Sequence, residues 1–404
     1  MVRDRLRVLV LSPETPAFPG SGGQSRQYGL LTALAGRHDI RVLSSQAAPA
    51  FGSVPPGVDL RYVPLLPPHG RPAGSWLARN IRHALSGTPR IVDASVHEAE
   101  SLEPVLAEHM AEFRPDIVQV EHVQLAGLLT RIPASTPTVL VLHNLLSTLQ
   151  GQLRGDGLRG AAGAALEGLL VRRHEGWVLG AAREVVVVSN GDARVVLRRR
   201  PGASVEVVPN CVPVDYFQPP ASPATEPVVV MTANFFWPPN QLAARELLTV
   251  ILPEVRQAVD GAELVLVGQG MPPWLEALVA ATAGASATGP VADVRPYLTR
   301  ARVAAAPLRR GAGSPLKVLE AMAAGVPVVT TARVSSALEL PPAMVLTAET
   351  PAATAAAIIR LLGNPQLATS MTRQALAMVR EKFSWEVAAA RLEEVWATAS
   401  AGSA

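Results

Sequence analysis

Short runs of aliphatic and β-branched residues alternate with longer stretches of helical periodicity along the whole chain. Runs of about four to eight such residues are typical of strands buried on both faces, and the longer stretches of covering helices. The pattern therefore predicts an α/β protein built on parallel sheets. The predicted strands cover residues 6–12, 39–45, 116–123, 138–144, 184–190 and 205–210, followed by 227–234, 262–270, 302–308, 327–331 and 344–349.

A segment rich in Pro, Ser and Thr separates the two series of predicted strands. It covers residues 212–227 and lacks apolar periodicity, which is typical of a linker between domains. Two Rossmann-like domains in tandem are the simplest interpretation, with residues 1–211 in the first and 228–383 in the second. A predicted helix over 384–404 ends the chain, and its apolar face needs a surface to pack on.

The composition indicates a globular protein and excludes several other classes. Of 404 residues, 49% are hydrophobic and 17% are charged, and the net charge is only +3. Because so weak a charge comes without a basic tract, no nucleic-acid partner is expected. The single cysteine, Cys211, excludes an internal disulfide and a cysteine-based metal site, so the cytoplasm is the expected location.

Membrane and metal signals are weak. The first apolar run is broken by Ser12 and Pro13, which indicates a buried strand rather than a secretion signal, and no apolar stretch is long enough for a spanning helix. Residues 75–87 place Trp76 near basic side chains; packing on a sheet is the first interpretation, and weak contact with an anionic membrane surface is the alternative. No spacing of His, Asp or Glu indicates a metal site.

A glycine-rich turn follows the first predicted strand. Gly20, Gly22 and Gly23 precede a stretch of helical periodicity, so backbone amides at a helix N-terminus could approach a bound group closely. The order differs from G-x-G-x-x-G, and no acidic residue ends the next strand, which argues against a dinucleotide site. A flexible loop is the alternative.

The segment 306–331 is the best candidate site. It contains a strand, a glycine-rich turn, Pro315 at a first helical position, a helix and another strand. The first-turn amides of Leu316 and Lys317 would lie at the positive helix end, where an anion gains about 0.3 to 2 kcal/mol. Arg309, Arg310 and Lys317 add full positive charges.

Glu320 lies about one turn into this helix. A carboxylate there could accept hydrogen bonds from two vicinal hydroxyls such as those of a ribose. Taken alone it would be an ordinary surface glutamate, but its neighbours favour a nucleotide site.

Polar residues end two predicted strands of the first domain. Glu121 and His122 end one, and His143 and Asn144 end the next. The carboxyl edge of a parallel sheet is where open α/β folds bind ligands, so these four residues are candidates for a site. A histidine with a purely structural hydrogen bond is the alternative for His143.

Nine sequence blocks follow one another along the chain: PGSGGQSRQYGLL, QVEHVQLAGLL, VLVLHNLLS, VVVVSNGDARVVL, VEVVPNCVPVDYF, TANFFWPPNQLAARELLTVILPEVR, LVLVGQG, TGPVADVRPYLTRARVAAAPL and GAGSPLKVLEAMAAGVPVVTT. In these blocks and their order, the chain resembles the retaining glycosyltransferases of the GT4 type, which have the GT-B fold. The resemblance covers nearly the whole chain.

The resemblance implies two Rossmann-like domains that face a cleft, with the acceptor held mainly by the first and a nucleoside diphosphate sugar mainly by the second. The last helix would cross back to the first domain. Transfer would retain the anomeric configuration without a metal or cofactor, and the leaving diphosphate would help to deprotonate the acceptor hydroxyl. The donor is then a co-substrate, and the acceptor is a small molecule, a glycan or a lipid-linked molecule.

The resemblance also implies roles for individual residues. The helix opening would neutralise the leaving diphosphate through Lys317, assisted by Arg309 or Arg310, while Glu320 would hold the ribose and His143 would lie near the donor sugar. The remaining donor-side candidates are Gly22, Gly23, Gly268, Gly313, Ser314, Pro315 and Leu316, and the acceptor-side candidates are Glu121, His122 and Asn144.

The chain departs from the family pattern at three places. Ala312 stands where a glutamate usually contacts the donor sugar, TANFFWPPNQ replaces the usual Gly-Arg and Lys after the first strand of the second domain, and Asn144 replaces an aspartate. Two alternatives stay open: a nucleotide-sugar epimerase of the same fold, and a nucleotide-binding partner subunit without catalysis. The nucleobase, the sugar, the acceptor and the oligomeric state are not specified by any motif.

Overall fold

The computed structural model describes residues 5–47, 52–65, 89, 92, 96–150, 158–311 and 314–401. The chain forms two compact units, Met1–Pro209 with Ala389–Ala404, and Asn210–Ala388. The segment 75–87, the departure at Ala312 and the candidate Gly313 lie outside the described residues.

The first unit is built on a seven-stranded parallel sheet with the order β3-β2-β1-β4-β5-β6-β7. Its central strands are fully buried, which explains their near-continuous apolar sequence. The strands are β1 Arg7–Ser12, β2 Asp39–Ser44, β3 Asp59–Tyr62, β4 Ile117–Glu121, β5 Thr138–Leu142, β6 Glu184–Val187 and β7 Ser204–Val207.

The second unit is built on a six-stranded parallel sheet with the order β10-β9-β8-β11-β12-β13. All eleven strands predicted from the sequence overlap an observed strand. The strands are β8 Val228–Thr232, β9 Glu263–Val267, β10 Ala285–Ala287, β11 Val303–Ala306, β12 Val328–Thr330 and β13 Val345–Thr347.

Helices connect the strands of each sheet. In the first unit they are Gly22–Ala35, Val96–Phe113, the 3-10 helix Val123–Arg131, Leu146–Gln150, Leu158–Ala181 and Asn190–Arg199. In the second unit they are Pro238–Glu246, the π-helical turn Leu247–Ile251, Leu252–Ala258, Pro273–Ala281, Arg295–Arg300, Leu316–Ala323, Ala332–Ala337, Pro351–Gly363 and Pro365–Lys382. Within the described ranges, no helix is both long and apolar enough to cross a bilayer.

The last helix, Trp385–Ala401, contributes to the core of the first unit. Its residues from Ala389 onward belong to that unit, and Leu392, Val395 and Trp396 are buried there. The apolar face that the sequence places on this helix therefore has a packing surface. At the other boundary, the first part of segment 212–227 is packed within the second unit, where Phe217 is buried.

The strand order indicates where each sheet can bind a ligand. In each sheet the order reverses once, between β1 and β4 in the first and between β8 and β11 in the second. The loops after such a pair of strands diverge to opposite sides and leave a crevice in which open α/β sheets bind ligands. Residues that follow β1, β4 and β5, and those that follow β8 and β11, are therefore candidates for contact with a ligand.

An ion pair between two helices holds the chain just after β5. Glu175, whose side chain is 3% exposed, pairs with Arg199 and accepts a hydrogen bond from the Ser147 backbone N–H at 3.0 Å. The Arg199 guanidinium also donates to Ser147 Oγ at 2.6 Å. The pair therefore anchors the start of helix Leu146–Gln150, four residues beyond His143.

We expect Arg199→Ala to lower the free energy of unfolding by about 3 to 5 kcal/mol, because it leaves the Glu175 carboxylate buried without its cation. Glu175→Gln should cost less, since an amide needs less solvation than a carboxylate. Urea unfolding followed by circular dichroism measures both effects. Arg198→Ala, which changes the neighbouring exposed arginine, is the control, and equal loss in both arginine variants would contradict the expectation.

Candidate functional site

The carboxyl edge of the first sheet brings together residues from two neighbouring strands. Glu121 is the last residue of β4, His122 follows it with a φ of 65°, and His143 comes one residue after β5. Because β4 and β5 are paired neighbours, Glu121 and His143 reach the same point of the edge.

A buried hydrogen bond joins the two. His143 Nε2 lies 2.6 Å from Glu121 Oε2, and both side chains are less than a tenth exposed. The ring of His122 stacks on that of His143, with 3.9 Å between centroids and 21° between planes. The structure thus brings together three of the four candidates that end these two strands, whereas Asn144 is exposed.

Burial favours the neutral form of all three groups. It lowers the pKa of His143 to about 3 and that of His122 to about 4, and it raises the pKa of Glu121. The cause in each case is the cost of holding a charge away from water. At neutral pH both rings are uncharged, so they can donate or accept hydrogen bonds but supply no positive charge.

The glycine turn after β1 is an ordered helix start, contrary to the flexible-loop alternative. Ser21 caps helix Gly22–Ala35 in a reciprocal capping box with Gln24. A Cβ on Gly23 would lie 2.8 Å from Glu14 Oε2 and 3.5 Å from His143 Nδ1, so glycine allows both side chains to approach the helix. Gly23 therefore lies beside His143, and Gly22 precedes it in the same first turn of the helix.

Glu14 is a site residue that the sequence did not reveal. Its carboxylate accepts a hydrogen bond from Ser21 Oγ at 2.9 Å and lies against Gly23. A carboxylate at this turn disfavours a phosphate there and favours a hydroxyl or an amine. Glu14 lies in a proline-containing loop without a recognisable motif. The only sequence signal for its position is Ser21, the helix-capping residue seven positions later.

In the second unit, helix Leu316–Ala323 begins after β11. Pro315 is its N-cap, with φ −72° and ψ 119°, which corrects the expectation that Pro315 occupies the first helical position. Its extended backbone ends the loop, and the helix starts one residue later. The Asn210 side chain donates to the Ser314 carbonyl at 2.6 Å, which fixes the loop before the helix.

Ser314 presents a buried hydroxyl beside this helix start. The side chain is 4% exposed, and its Oγ meets no hydrogen-bonding partner among the described residues. The first-turn amides of a helix have no partner within the helix. Hydroxyl and amides together form a set of donors suited to an anion.

Lys317 is held by a residue that follows β8. Its Nζ donates to Asn240 Oδ1 at 2.8 Å, and the Asn240 amide donates to the Asn234 carbonyl at 2.7 Å. Asn240 was missed from the sequence, although it is the Asn of the WPPN block. The pairing of β8 with β11 brings the two residues together across 77 positions.

Lys317 and Glu320 share one face of their helix. Burial lowers the pKa of Lys317 to about 7 and raises the pKa of Glu320 to about 7, and each charge partly offsets the effect on the other. A phosphate near Lys317 would favour its charged form, and ribose hydroxyls would favour the ionised Glu320. Without a bound ligand, both groups therefore titrate close to neutral pH.

The two arginines differ in their surroundings. Arg309 donates to Glu246 Oε2 at 2.9 Å and to the Ala348 carbonyl at 3.3 Å, so its charge already has a partner within the protein. Arg310 is exposed and forms no ion pair with any described residue. Arg310 is thus the better placed of the two to meet a ligand.

Gly268 and Gly270 follow β9 and pack against the loop after β8. Gly268 has φ 138°, and a Cβ there would overlap the Ala233 carbonyl oxygen. Gly270 has φ 77°, and a Cβ there would enter the ring of Phe236. Phe236 itself is 72% exposed and lies four residues after β8.

Comparisons with known proteins agree with this architecture. Residues 21–211 match the family model described as glycosyl transferase 4-like domain, and residues 226–364 match the model described as glycosyl transferases group 1. The two models together account for most of the chain. This protein belongs to the GT4-type glycosyltransferases with the GT-B fold.

A local match relates this glycosyltransferase to a protein of Mycobacterium tuberculosis, found in two strains. That relative is a GDP-mannose-dependent alpha-(1-6)-phosphatidylinositol monomannoside mannosyltransferase. The identity is 36% over an alignment of 153 residues, and the match covers 32% of this chain. The match spans 38% of the relative's own length.

Solved structures resemble this glycosyltransferase over nearly its full length. Sucrose-phosphate synthase from Thermosynechococcus elongatus has a TM-score of 0.75 at 18% identity and covers 98% of this chain and all of its own. Anabaena HepE, solved with UDP and glucose, has a TM-score of 0.65 at 15% identity, with 97% and 100% covered. WaaG, a glycosyltransferase of lipopolysaccharide biosynthesis, has 0.63 at 16%, with 96% and 98% covered. At these identities the likeness shows the fold.

Proposed function

We propose that this glycosyltransferase moves a sugar from a nucleoside diphosphate sugar to an acceptor hydroxyl with retention of the anomeric configuration. The observation that carries the proposal is the set of donors at the start of helix Leu316–Ala323, where Lys317 and the buried Ser314 hydroxyl accompany the first-turn amides. Such a set suits the charge that grows on a leaving diphosphate.

The roles follow from the chemistry of each group. Lys317 and the amides of Leu316 and Lys317 stabilise the diphosphate, Arg310 adds charge at the surface, and the Glu320 carboxylate accepts hydrogen bonds from the ribose. Gly268 forms part of the wall near the base. Arg309 receives no direct role, since Glu246 holds it.

The acceptor oxygen bonds to the anomeric carbon while the bond from that carbon to the diphosphate oxygen breaks. The acceptor proton passes to the departing diphosphate, so no protein base is required. We assign His143 a neutral hydrogen bond to the transferred sugar, and Glu14, Glu121 and His122 to the surroundings of the acceptor. No metal ion is needed, because Lys317 and the helix start supply the positive charge.

The relatives support a nucleotide-linked donor in general terms. The Mycobacterium tuberculosis relative is named as GDP-mannose-dependent, and Anabaena HepE was solved with UDP and glucose. These two proteins differ in nucleobase and in sugar. The donor of this chain is therefore to be determined by direct binding.

We expect one of UDP, dTDP, GDP and ADP to raise the melting temperature selectively, because a ligand at 100 times its Kd stabilises by about 2.7 kcal/mol. Glu320→Ala should weaken that nucleotide about 10- to 100-fold, since it removes charged hydrogen bonds to the ribose worth about 1.5 to 3 kcal/mol. Inorganic pyrophosphate has no ribose, so Glu320→Ala should change its affinity much less than the affinity for the nucleotide. The measurements are thermal shift and calorimetric titration.

Two comparisons make the experiment decisive. Glu339→Ala, on a neighbouring loop of the same unit, should leave nucleotide affinity unchanged. A loss of pyrophosphate affinity in Glu320→Ala as large as the loss of nucleotide affinity would contradict the ribose assignment. With a donor identified, retention is read from the anomeric proton of the product by NMR, with and without a chelator; an inverted product or a strict metal requirement would overturn the proposal.

A further inference from the structure

A chain of hydrogen bonds runs from the last helix to His143. Trp396 Nε1 donates to Gln119 Oε1 at 2.7 Å, Gln119 Nε2 donates to Glu121 Oε1 at 2.6 Å, and Glu121 Oε2 lies 2.6 Å from His143 Nε2. Trp396, Gln119 and Glu121 are at most 2% exposed. All four residues belong to the first unit, although Trp396 follows Gln119 by 277 positions.

This series of hydrogen bonds from Trp396 to His143, called the relay below, has a fixed direction. An indole nitrogen can only donate, so the Gln119 oxygen must face Trp396 and its amide nitrogen must face Glu121. Glu121 Oε1 is then always an acceptor. Any proton shared by Glu121 and His143 consequently lies between Oε2 and Nε2.

This direction determines what His143 offers on its other side. Since the ring is neutral, it carries one proton. When Glu121 is ionised, that proton lies on Nε2 and Nδ1 is an acceptor; when Glu121 is protonated, its O–H donates to Nε2 and Nδ1 carries the proton as a donor. Nδ1 faces Gly23, which is where the candidate site lies.

We propose that Trp396, Gln119 and Glu121 are positioning residues for His143, and that through them the last helix determines which hydrogen-bonding character Nδ1 presents to the ligand. The proposal rests on the proposed function for the role of His143. Sequence order hides it, because the relay joins β4, β5 and the end of the chain. Each buried polar atom along it has its partner supplied by the next residue.

Other charged and titratable groups surround the pair. His122 stacks on His143, Arg26 is buried nearby and acts on both Glu121 and His143, and Glu14 lies beyond Gly23. Arg26 keeps its charge at every accessible pH, and burial lowers the pKa of His122 to about 4. A change in the His143 tautomer above the titration of His122 is therefore to be traced to Glu121 by a variant of that residue.

The test is the tautomer of His143, read by long-range nitrogen–proton NMR on the full chain labelled in histidine and assigned with His143→Asn. In the wild type the proton should pass from Nδ1 to Nε2 as Glu121 ionises, while the ring stays neutral. In Glu121→Gln the introduced amide oxygen faces Gln119 and its nitrogen donates to Nε2, so the proton should stay on Nδ1 at every pH above the titration of the ring.

Two double variants test the contribution of the last helix. Glu121→Gln with Trp396→Phe removes the donor that orients Gln119, and His143 should show both tautomers. Glu121→Gln with Glu393→Ala is the matched control: it removes the contact of the same helix with His38, where Nε2 and Oε1 are 2.8 Å apart, but leaves the relay intact. This control should keep the proton on Nδ1.

A proton on Nε2 in Glu121→Gln would overturn the role of Glu121. Identical spectra for the two double variants would overturn the role of Trp396. Neither measurement needs turnover, so failure of the relay is distinct from failure of the proposed function: if the tautomers behave as expected while His143→Asn transfers sugar like the wild type, the relay stands and the catalytic assignment of His143 falls.

Discussion

Lys317→Ala is expected to lower kcat about 10²- to 10³-fold while changing the donor KM much less. The reason is that charge on the diphosphate grows as the bond to the sugar breaks, so a cation at the start of helix Leu316–Ala323 stabilises the transition state more than the bound donor. Steady-state rates with the donor identified by binding, at saturating acceptor, measure the effect. A KM increase with unchanged kcat would contradict this role.

The chain offers a close control, because its only other lysine is the exposed Lys382. Lys382→Ala should behave like the wild type. Asn240→Ala should fall between the two, since it leaves the Lys317 charge in place but removes the oxygen that holds Nζ. A full loss of kcat in Asn240→Ala would instead indicate that Asn240 itself contacts the donor.

The pH dependence has a definite sign. Since burial lowers the pKa of Lys317 to about 7, the ammonium is present below that pH and is lost as pH rises through it. Inorganic pyrophosphate has no ribose to favour the ionised Glu320, so its binding favours the Lys317 ammonium, takes up a proton and weakens as pH increases above about 7. In Lys317→Arg this weakening should disappear, because a guanidinium keeps its charge.

The fold could be predicted from the sequence wherever burial dictated the residue types. Strands such as β4 and β5 are buried on both faces and read as continuous apolar runs. The two strands that the sequence did not reveal, β3 and β10, are edge strands with partly exposed residues. DLRY and ASA carry no apolar run, and their pairing depends on the neighbouring strand rather than on their own residues.

The site could be predicted only in part, because a single sequence does not show which strands and helices are neighbours. His143, Glu121, Lys317 and Glu320 stand at strand ends or helix starts, where position along the chain indicates position in the fold. Their partners depend on strand order: Asn240 reaches Lys317 only because β8 adjoins β11, and Trp396 reaches Gln119 only because the last helix joins the first unit. Adjacency of this kind has no signature in a single sequence.

The two units differ in the charge state that burial produces. In the first, desolvation leaves His143 and His122 neutral and raises the pKa of Glu121, so the edge offers uncharged hydrogen-bonding groups beside Glu14. In the second, Lys317 and Glu320 have pKa values near 7 and can charge when a ligand supplies the opposite sign or suitable donors. A sugar or acceptor suits the first environment and a diphosphate suits the second.

His143→Ala is expected to lower kcat/KM about 10²-fold, because it removes one preorganised hydrogen bond to the transferred sugar and leaves the Glu121 carboxyl buried without its partner. His143→Asn retains a polar side chain and should recover part of the loss. Nucleotide affinity should stay at the wild-type value in both, since the proposed function assigns the diphosphate and the ribose to the second unit. His174→Ala, which changes a half-buried histidine on helix Leu158–Ala181, controls for general damage to the first unit. Initial rates and calorimetric titration on the same preparations distinguish the outcomes, and a loss of nucleotide affinity equal to the loss of kcat/KM would contradict a contact with the sugar.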